Sequence, residues 1–153
     1  MIQVRSAQPA DAEVWLRMRE ALWPHFDGGS HAGEVQQYFE GKLRMPLEVL
    51  LAVDQSGSAV GFAELSIRSY AEECESDRVA YLEGWYVAPR FRRQGVGRAL
   101  IAAAEEWGIR QGCTEFASDA ELDNELSASA HRSLGFEETV RIRCFRKVLG
   151  RQS

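Results

Sequence analysis

The segment 79–118 constrains the fold most, because it joins an apolar run, a glycine-rich turn, a long amphipathic stretch and a second short run. The first run, "VAYLEGWYVA", is typical of a central strand since few of its residues are polar. The stretch 95–112 predicts a helix that Gly112 can cap. Its expected buried stripe consists of Val96, Leu100, Ile101, Ala104, Trp107 and Ile109. With "CTEFASDA" as the next strand, the segment predicts a βαβ unit of two parallel strands joined by a right-handed crossover.

The rest of the chain supplies elements that would complete a sheet around this unit. Before it, the patterns predict a strand at 2–7, a helix ended by Trp23-Pro24, a loop at 25–31, a short helix at 32–43 and a hairpin of strands 47–54 and 59–69. After it, they predict a helix at 124–134 and a closing strand at 136–149. The order β-α-α-β-β-β-α-β-α-β predicts an α/β fold, a mixed sheet with helices on its faces in a three-layer sandwich. We expect a single domain over residues 1–153.

The charge distribution argues against one class of partner and allows another. The net charge is −5, which disfavours nucleic acid as the main partner because that partner needs a basic surface. Residues 88–98 nevertheless carry four arginines and no acid, whereas residues 115–125 carry five acids and no base. These two segments predict a small site for an anion and an acidic site for a cation.

Cysteine and histidine spacing predicts no metal site and no disulfide framework among the three residues of each type. No apolar run has the length of a signal-peptide core or of a membrane helix. We therefore expect a cytoplasmic protein with no metal and no membrane partner.

The sequence "RRQGVG" at 92–97 lies between the central strand and the long helix. The first N–H groups of a helix have no internal acceptors, and the helix dipole adds positive charge there, so phosphate binds readily. Glycines allow a ligand to approach those N–H groups, and arginines add charged donors. A P-loop would need G-x-x-x-x-G-K-[ST], and a dinucleotide-binding turn would need a third glycine where Leu100 stands. The expected anion is a pyrophosphate.

The spacing Arg92-x-x-Gly95-x-Gly97, after "YVAP" and before an amphipathic helix, is the [RQ]-x-x-G-x-[GA] signature. With "LEGWYVAPRFR" upstream and Asn124 and "HRSLGF" downstream, the chain is identified as a member of the GNAT N-acetyltransferase superfamily. The resemblance implies that acetyl-CoA is the co-substrate, and that the strand before the loop bulges and splays from its parallel neighbour. The implied acetyl-CoA-binding residues are Trp85, Tyr86, Val87, Arg92, Arg93, Gln94, Gly95, Val96, Gly97, Arg98 and Asn124. Because Trp85 and Tyr86 alternate, we expect one to face the core and the other the cleft.

Acetyl transfer to an amine requires a neutral amine, so a carboxylate or a water chain must remove a proton at neutral pH. Glu83 lies within the apolar run "YLEGWYV", where a charge is costly unless it is paired or used. Asp119 ends the neighbouring parallel strand, and ligands bind at the carboxyl ends of strands in open α/β sheets. Glu83 and Asp119 are therefore the candidate catalytic residues. A solvent-facing glutamate and a capping aspartate are the alternative interpretations.

Over residues 2–147 the chain resembles a narrower family, the aminoglycoside 6′-N-acetyltransferases of the chromosomal type. The resemblance rests on "LRMREALWP", "GFAELSIR", "YLEGWYV", "ASD" and "LGFEETVR". It implies acetylation of the 6′-amine of aminoglycosides by an antibiotic-resistance enzyme that forms a homodimer. The implied substrate-binding residues are Trp23, His25, Tyr70, Glu83 and Asp119, with His25 one residue out of register.

Two positions depart from these patterns. Val140 stands where relatives carry an acid, which puts the substrate range in question but not the reaction. His131 stands where the superfamily often has a tyrosine that protonates the departing thiolate, and a surface histidine is its alternative interpretation. We predict direct attack of the amine on the thioester, with a strand N–H near Val87 stabilising the oxyanion.

Other functions remain open at this point. An acetyltransferase for a polyamine or another small amine would also suit an acidic pocket, and a non-catalytic acetyl-CoA-binding module would keep the same loop. The arginine-rich last strand could be an exposed edge that pairs or exchanges between subunits.

Overall fold

The computed structural model describes residues 1–26 and 29–150, so positions 27 and 28 of the predicted loop and the last three residues lie outside it. The strands of the described residues are β1 Gln3–Ser6, β2 Glu48–Val53, β3 Ala59–Arg68, β4 Val79–Val87 and β5 Phe116–Ser118. The α-helices of the same residues are α1 Ala12–Leu22, α2 His31–Phe39, α3 Val96–Arg110 and α4 Glu125–Ser133. Short 3₁₀ turns at Pro9–Asp11 and Pro89–Phe91 precede α1 and the arginine-rich loop.

The strands form one sheet in the order β1-β2-β3-β4-β5. Neighbouring strands from β1 to β4 are antiparallel, and β4 and β5 are parallel. The predicted βαβ unit is therefore confirmed, since α3 connects the parallel pair. The α/β class with a mixed sheet is confirmed as well.

Helices cover both faces of this sheet. On one face, α1 and α2 bury Trp15, Met18 and Val35 against Val49, Leu51 and Phe62 of the strands. On the other face α3 lies so close that a Cβ on Gly61 of β3 would be 3.3 Å from the Leu100 side chain. Burial of these two apolar surfaces against the sheet is the main force that holds the three layers together.

One predicted member of the α3 stripe is wrong. Ile109 is 72% exposed, whereas Gly108 is buried and a Cβ there would lie 3.0 Å from the Ala80 Cβ. Gly108 lies four residues after buried Ala104 and therefore on the same face of the helix. Ile109, one residue further, points away from that face. The helix approaches β4 closely at this glycine.

The chain divides into two compact units, Met1–Asp119 and Ala120–Ser153, and each is described by itself. The first contains the sheet and α1 to α3. The second contains α4 and the C-terminal segment, in which Asn124 caps α4 by accepting from the Ser127 N–H at 3.0 Å.

The prediction of a closing strand at 136–149 is wrong for this single chain. Those residues form neither strand nor helix, and Val140, Ile142 and Phe145 are 43%, 49% and 91% exposed. Alternating apolar residues indicate only that a segment suits a half-buried pleated surface. A strand forms when a neighbour satisfies its backbone groups, and the described chain supplies none to this segment.

No helix within residues 1–26 and 29–150 is long and apolar enough to cross a membrane.

Candidate active site

Glu83 occupies a β-bulge of β4. In the pairing with β3, Glu64 faces Gly84 and Leu65 faces Leu82, so Glu83 is the extra residue without a cross-strand partner. Adjacent residues of a regular strand point to opposite faces, and the bulge shifts this alternation by one residue. Gly84 consequently shares the α1 and α2 face, where a Cβ would be 2.5 Å from the Trp23 ring.

The same region of β4 separates from β5. The parallel pairing covers only Ala80–Leu82 and Phe116–Ser118, while β4 continues to Val87. Residues 83–87 pair with β3 but lie beyond the pairing of β4 with β5. This geometry confirms the predicted bulge and splay.

Arg68, at the end of β3, holds the Glu83 carboxylate. Its Nε donates to one carboxylate oxygen at 2.9 Å and its Nη2 to the other at 2.7 Å. Both side chains are partly buried, with 36% of Arg68 and 15% of Glu83 exposed. The hydrogen bonds to Glu83 raise the pKa of Arg68 further above its ordinary value, so the guanidinium is always charged.

Tyr81 joins this pair to Asp119. The Arg68 guanidinium carbon lies 3.6 Å from the centre of the Tyr81 ring, and the Tyr81 hydroxyl donates to Asp119 Oδ2 at 2.5 Å. Burial, followed by the hydrogen bond to Asp119, raises the pKa of Tyr81, so the phenol stays protonated at neutral pH. The two predicted catalytic carboxylates thus belong to one connected group of side chains.

Trp23 lies against Gly84, the residue after Glu83. It follows the last residue of α1, and His31 stacks on its ring at 6.2 Å while contacting its backbone carbonyl from Nε2 at 2.9 Å. On another side the Arg19 guanidinium lies 5.3 Å from the ring centre. Trp23 is therefore held from several directions and remains only partly buried.

Arg19 and Glu64 form a buried ion pair beneath Trp23. Their side chains are 5% and 2% exposed, and Arg19 Nε donates to Glu64 Oε2 at 2.8 Å. The Trp15 indole N–H donates to the same oxygen at 3.0 Å, and Arg19 Nη2 also pairs with Glu34 at 3.0 Å. Burial raises the pKa of Glu64, while Arg19 and Trp15 oppose that shift.

Tyr70 and His25 are exposed, Tyr70 at 66%. Tyr70 lies two residues beyond Arg68, and His25 lies two residues beyond Trp23. Their contact with a substrate stays a prediction.

The arginine-rich loop has a backbone shape that suits an anion. Arg93 and Gly95 have φ of 63° and 84°, and Gly95 immediately precedes α3. A Cβ on Gly95 would meet nothing within 4 Å, so the space before the helix N-terminus is open. Free helix N–H groups with nearby arginines can hold a pyrophosphate there.

Other loop residues have structural contacts of their own. Arg92 Nε donates to the Val87 carbonyl at 2.8 Å, which ties the loop to the end of β4. A Cβ on Gly97 would lie 3.1 Å from the Trp85 ring, so this glycine permits close packing of α3 on β4. Trp85 therefore faces α3, whereas Tyr86 packs near Phe62 on the opposite face at 5.9 Å.

In the second unit, His131 Nδ1 contacts the Ser127 carbonyl at 2.7 Å and the ring packs on Phe136 at 5.1 Å. The role of His131 as a proton donor stays a prediction. Within the described part of the chain, no group of three or more His, Cys, Asp or Glu residues could hold a metal ion.

Sequence reasoning missed Arg68, Tyr81 and the Arg19–Glu64 pair. The available signal was a charge in an apolar strand, inside β3 for Glu64 and at its end for Arg68. Their partners could not be read from it, because the pairing of β3 with β4 depends on a loop of ten residues and on the bulge at Glu83. A bulge of one residue changes which side chains share a face.

Comparison with known proteins identifies relatives over most of the chain. A sequence model of the acetyltransferase (GNAT) family matches residues 15–136. The aminoglycoside N(6′)-acetyltransferase type 1 of Klebsiella aerogenes is 54% identical over 146 residues, which cover 95% of this chain and 96% of that protein. The protein of the same name from Stenotrophomonas maltophilia is 41% identical over 147 residues, with 95% and 93% covered.

Solved structures of aminoglycoside 6′-N-acetyltransferases also match this chain. AAC(6′)-Iy in complex with the bisubstrate analogue CoA-S-monomethyl-acetylneamine matches with a TM-score of 0.87 and 36% identity, covering 97% of this chain and 99% of that one. AAC(6′)-Ih from Acinetobacter baumannii matches with a TM-score of 0.86 and 36% identity, covering 98% and 100%.

Proposed function

The chain belongs to the acetyltransferase (GNAT) family, and we propose that it transfers the acetyl group of acetyl-CoA to the 6′-amine of aminoglycoside antibiotics. The observation that carries this proposal is the connected pair of carboxylates, Glu83 and Asp119, beside the point where β4 separates from β5. An acidic site next to a thioester-binding cleft suits a polycationic amine.

We infer that acetyl-CoA lies beside β4 where it has separated from β5, and over the start of α3. Trp85, Tyr86 and Val87 would pair with or flank the pantetheine arm. The loop and the first turn of α3 would hold the pyrophosphate through Arg92, Arg93, Gln94, Gly95, Val96, Gly97 and Arg98. The open space at Gly95 and the separation of β4 from β5 both support this assignment. Asn124 is assigned to the same ligand by resemblance, and its capping bond to Ser127 uses only its side-chain oxygen.

The acceptor pocket is assigned to Trp23, His25, Tyr70, Glu83 and Asp119. Two carboxylates and the single guanidinium of Arg68 leave this group of side chains with one net negative charge, which favours an ammonium group. Trp23 would contribute the accessible part of its indole to the wall of this pocket.

The reaction is direct attack. Glu83 or Asp119, acting directly or through water, takes a proton from the 6′-ammonium group. The neutral amine then attacks the thioester carbonyl and a C–N bond forms. The C–S bond then breaks, and the proton that the nitrogen loses ends on the departing CoA thiolate. A backbone N–H near Val87 stabilises the oxyanion of the intermediate. Burial raises the pKa of the Cys74 thiol and Cys113 is buried, which supports a mechanism without a cysteine nucleophile.

The organisation and setting of the enzyme are also proposals. We infer one catalytic domain over residues 1–153, because the family match at 15–136 spans the boundary between the two compact units. Because acetyl-CoA is a cytoplasmic metabolite, the reaction would occur in the cytoplasm. Acetylation of the antibiotic would confer aminoglycoside resistance.

A homodimer is supported by the exposed apolar side chains of the C-terminal segment, which a second subunit would cover. Phe145, which is 91% exposed, is the side chain to change. F145D should yield monomers in size-exclusion chromatography with light scattering, whereas the unaltered chain should yield dimers. A monomeric unaltered chain would refute this assignment.

The experiment that tests the function measures thiol release from acetyl-CoA by the purified protein. Acceptors are kanamycin or tobramycin, a matched compound with a hydroxyl in place of the 6′-amine, and spermidine. Release with only the 6′-amino compounds is expected. Equal release with the 6′-hydroxyl compound would move the attacked amine elsewhere. Release with spermidine alone, or no release with any of these acceptors, would refute the aminoglycoside assignment.

A further inference from the structure

Arg68 connects the two carboxylates of the proposed acceptor site. Its fork holds both oxygens of Glu83, and its guanidinium carbon lies 3.6 Å from the centre of the Tyr81 ring. The Tyr81 hydroxyl in turn donates to Asp119 at 2.5 Å. Glu83, Arg68, Tyr81 and Asp119 thus form a continuous chain of contacts from the end of β3 across β4 to the residue after β5.

The stability that such an ion pair contributes does not account for this arrangement. With 36% of Arg68 exposed, solvent screens the pair, so its contribution to folding is modest. Glu83 is the bulged residue and lacks a cross-strand partner on β3. The bidentate contact with Arg68 therefore determines the direction of its carboxylate.

The two carboxylates differ in their partners. Glu83 pairs with a permanent cation, whereas Asp119 accepts a hydrogen bond from a neutral phenol. Since burial raises the pKa of Tyr81, its hydroxyl remains a donor throughout the pH range of an enzyme assay. Arg68 fixes this phenol as well, because the guanidinium stacks on the ring.

We propose that Arg68 is a positioning residue for acetyl transfer, which orients Glu83 directly and Asp119 through Tyr81 so that both carboxylates meet the acceptor amine in one geometry. The inference rests on the proposed function. If Arg68 acted only through its charge, its removal would make the site more negative and strengthen binding of a cationic acceptor. If it acts on geometry, its removal slows the transfer step.

The test compares kcat and KM of the purified full chain and its variants, with kanamycin and acetyl-CoA as substrates. R68Q is expected to lower kcat by about 10- to 100-fold, with the kanamycin KM changed less than about threefold and the acetyl-CoA KM less than about twofold. R68K keeps the charge but lacks the planar fork, so its kcat should stay at least about 10-fold below the wild-type value.

Y81F keeps the stacked ring but removes the hydroxyl that orients Asp119, and about a 10-fold fall in kcat is expected. Arg68 and Tyr81 act in the same series of contacts. The fall in kcat of R68Q/Y81F should therefore be far smaller than the product of the falls in the two single variants.

The chain offers a matched control in the pair of Arg5 and Asp11. It is also bidentate, at 2.8 and 3.0 Å, and its side chains are 39% and 13% exposed. R5Q therefore removes an equivalent ion pair of the β1 region, and its kinetic constants should stay within about twofold of wild type.

Each outcome decides the matter. An R68Q kcat like that of R5Q, or full restoration of kcat by R68K, would overturn the positioning role. R68Q could instead lose kcat/KM equally for kanamycin and acetyl-CoA and show a larger fall in Tm than R5Q. That result would assign Arg68 a role in the stability of the fold. Failure of the wild-type chain to acetylate kanamycin would overturn the proposed function, and this inference with it. Normal wild-type turnover with an unaffected R68Q would overturn this inference alone.

Discussion

Neutralising Glu64 should be among the most destabilising conservative changes in this chain. Glu64 is 2% exposed, its Oε2 accepts from Arg19 at 2.8 Å, and the Trp15 indole donates to the same oxygen. In E64Q the amide oxygen can still accept from Trp15, but the guanidinium of Arg19 loses its buried counter-charge. Glu34, which pairs with Arg19 at 3.0 Å and is 32% exposed, compensates only in part.

Removing one partner of a buried ion pair costs about 3–5 kcal/mol of folding free energy. Because Arg19 keeps its contact with Glu34, we expect E64Q to lose about 3 kcal/mol. For a domain of this size the loss corresponds to a fall in Tm of roughly 6–12 °C. E34Q is the matched control, because it removes the exposed partner of the same guanidinium and should cost less than about 1 kcal/mol.

Urea unfolding at pH 7, followed by tryptophan fluorescence, measures the free energy of unfolding of wild type, E64Q and E34Q. R19M/E64L should be more stable than E64Q, because no uncompensated charge remains in the core. The reasoning is refuted if E64Q lies within about 1 kcal/mol of wild type. That result would mean that the pKa of Glu64, which burial raises, is high enough to keep the carboxyl protonated in the folded chain.

Three further predictions follow from other contacts. G84A places a Cβ 2.5 Å from the Trp23 ring, so it should raise the kanamycin KM at least about 10-fold while leaving the acetyl-CoA KM nearly unchanged in the same thiol-release assay. The hydrogen bond from Arg5 lowers the pKa of Asp11 in the folded chain. The pair therefore stabilises the fold at pH values above the unfolded-state pKa of Asp11, and this stabilisation is lost as the pH falls through its folded-state pKa. R5Q should therefore be less stable than wild type by under about 1 kcal/mol at pH 7, and this difference should shrink in acid-unfolding curves; a difference that grows on acidification would contradict the cause given. We expect none of Cys74, Cys113 and Cys144 to act as a nucleophile, so replacing all three with alanine should leave kcat within about 10-fold of wild type. A fall in kcat of two or more decades would reveal a cysteine nucleophile.

Local patterns were sufficient to predict most of the fold. The amphipathic stripe of α3 and the apolar runs of β2, β3 and β4 predicted elements that the structure contains within a few residues. The end of α1 at Trp23-Pro24 followed from the restriction that proline places on the preceding residue. These features depend on neighbours in the sequence, so they can be read from it directly.

Features that depend on distant neighbours were predicted less well. The segment 136–149 has an alternating strand pattern but no partner strand within the described chain, so its prediction was wrong. Resemblance implied a bulge in β4, but its position at Glu83 depends on the register of two strands. The same register decides that Glu83 meets Arg68, a contact for which the sequence holds no local signal.

The chemical structure of the product shows whether the acetyl group is transferred to the 6′-nitrogen. Kanamycin acetylated by the purified chain would be examined by proton–carbon and proton–nitrogen correlation NMR, which locates the new amide. We expect a single amide, at the 6′-nitrogen. An amide at a nitrogen of another ring, or acetyl retained on the protein, would contradict it.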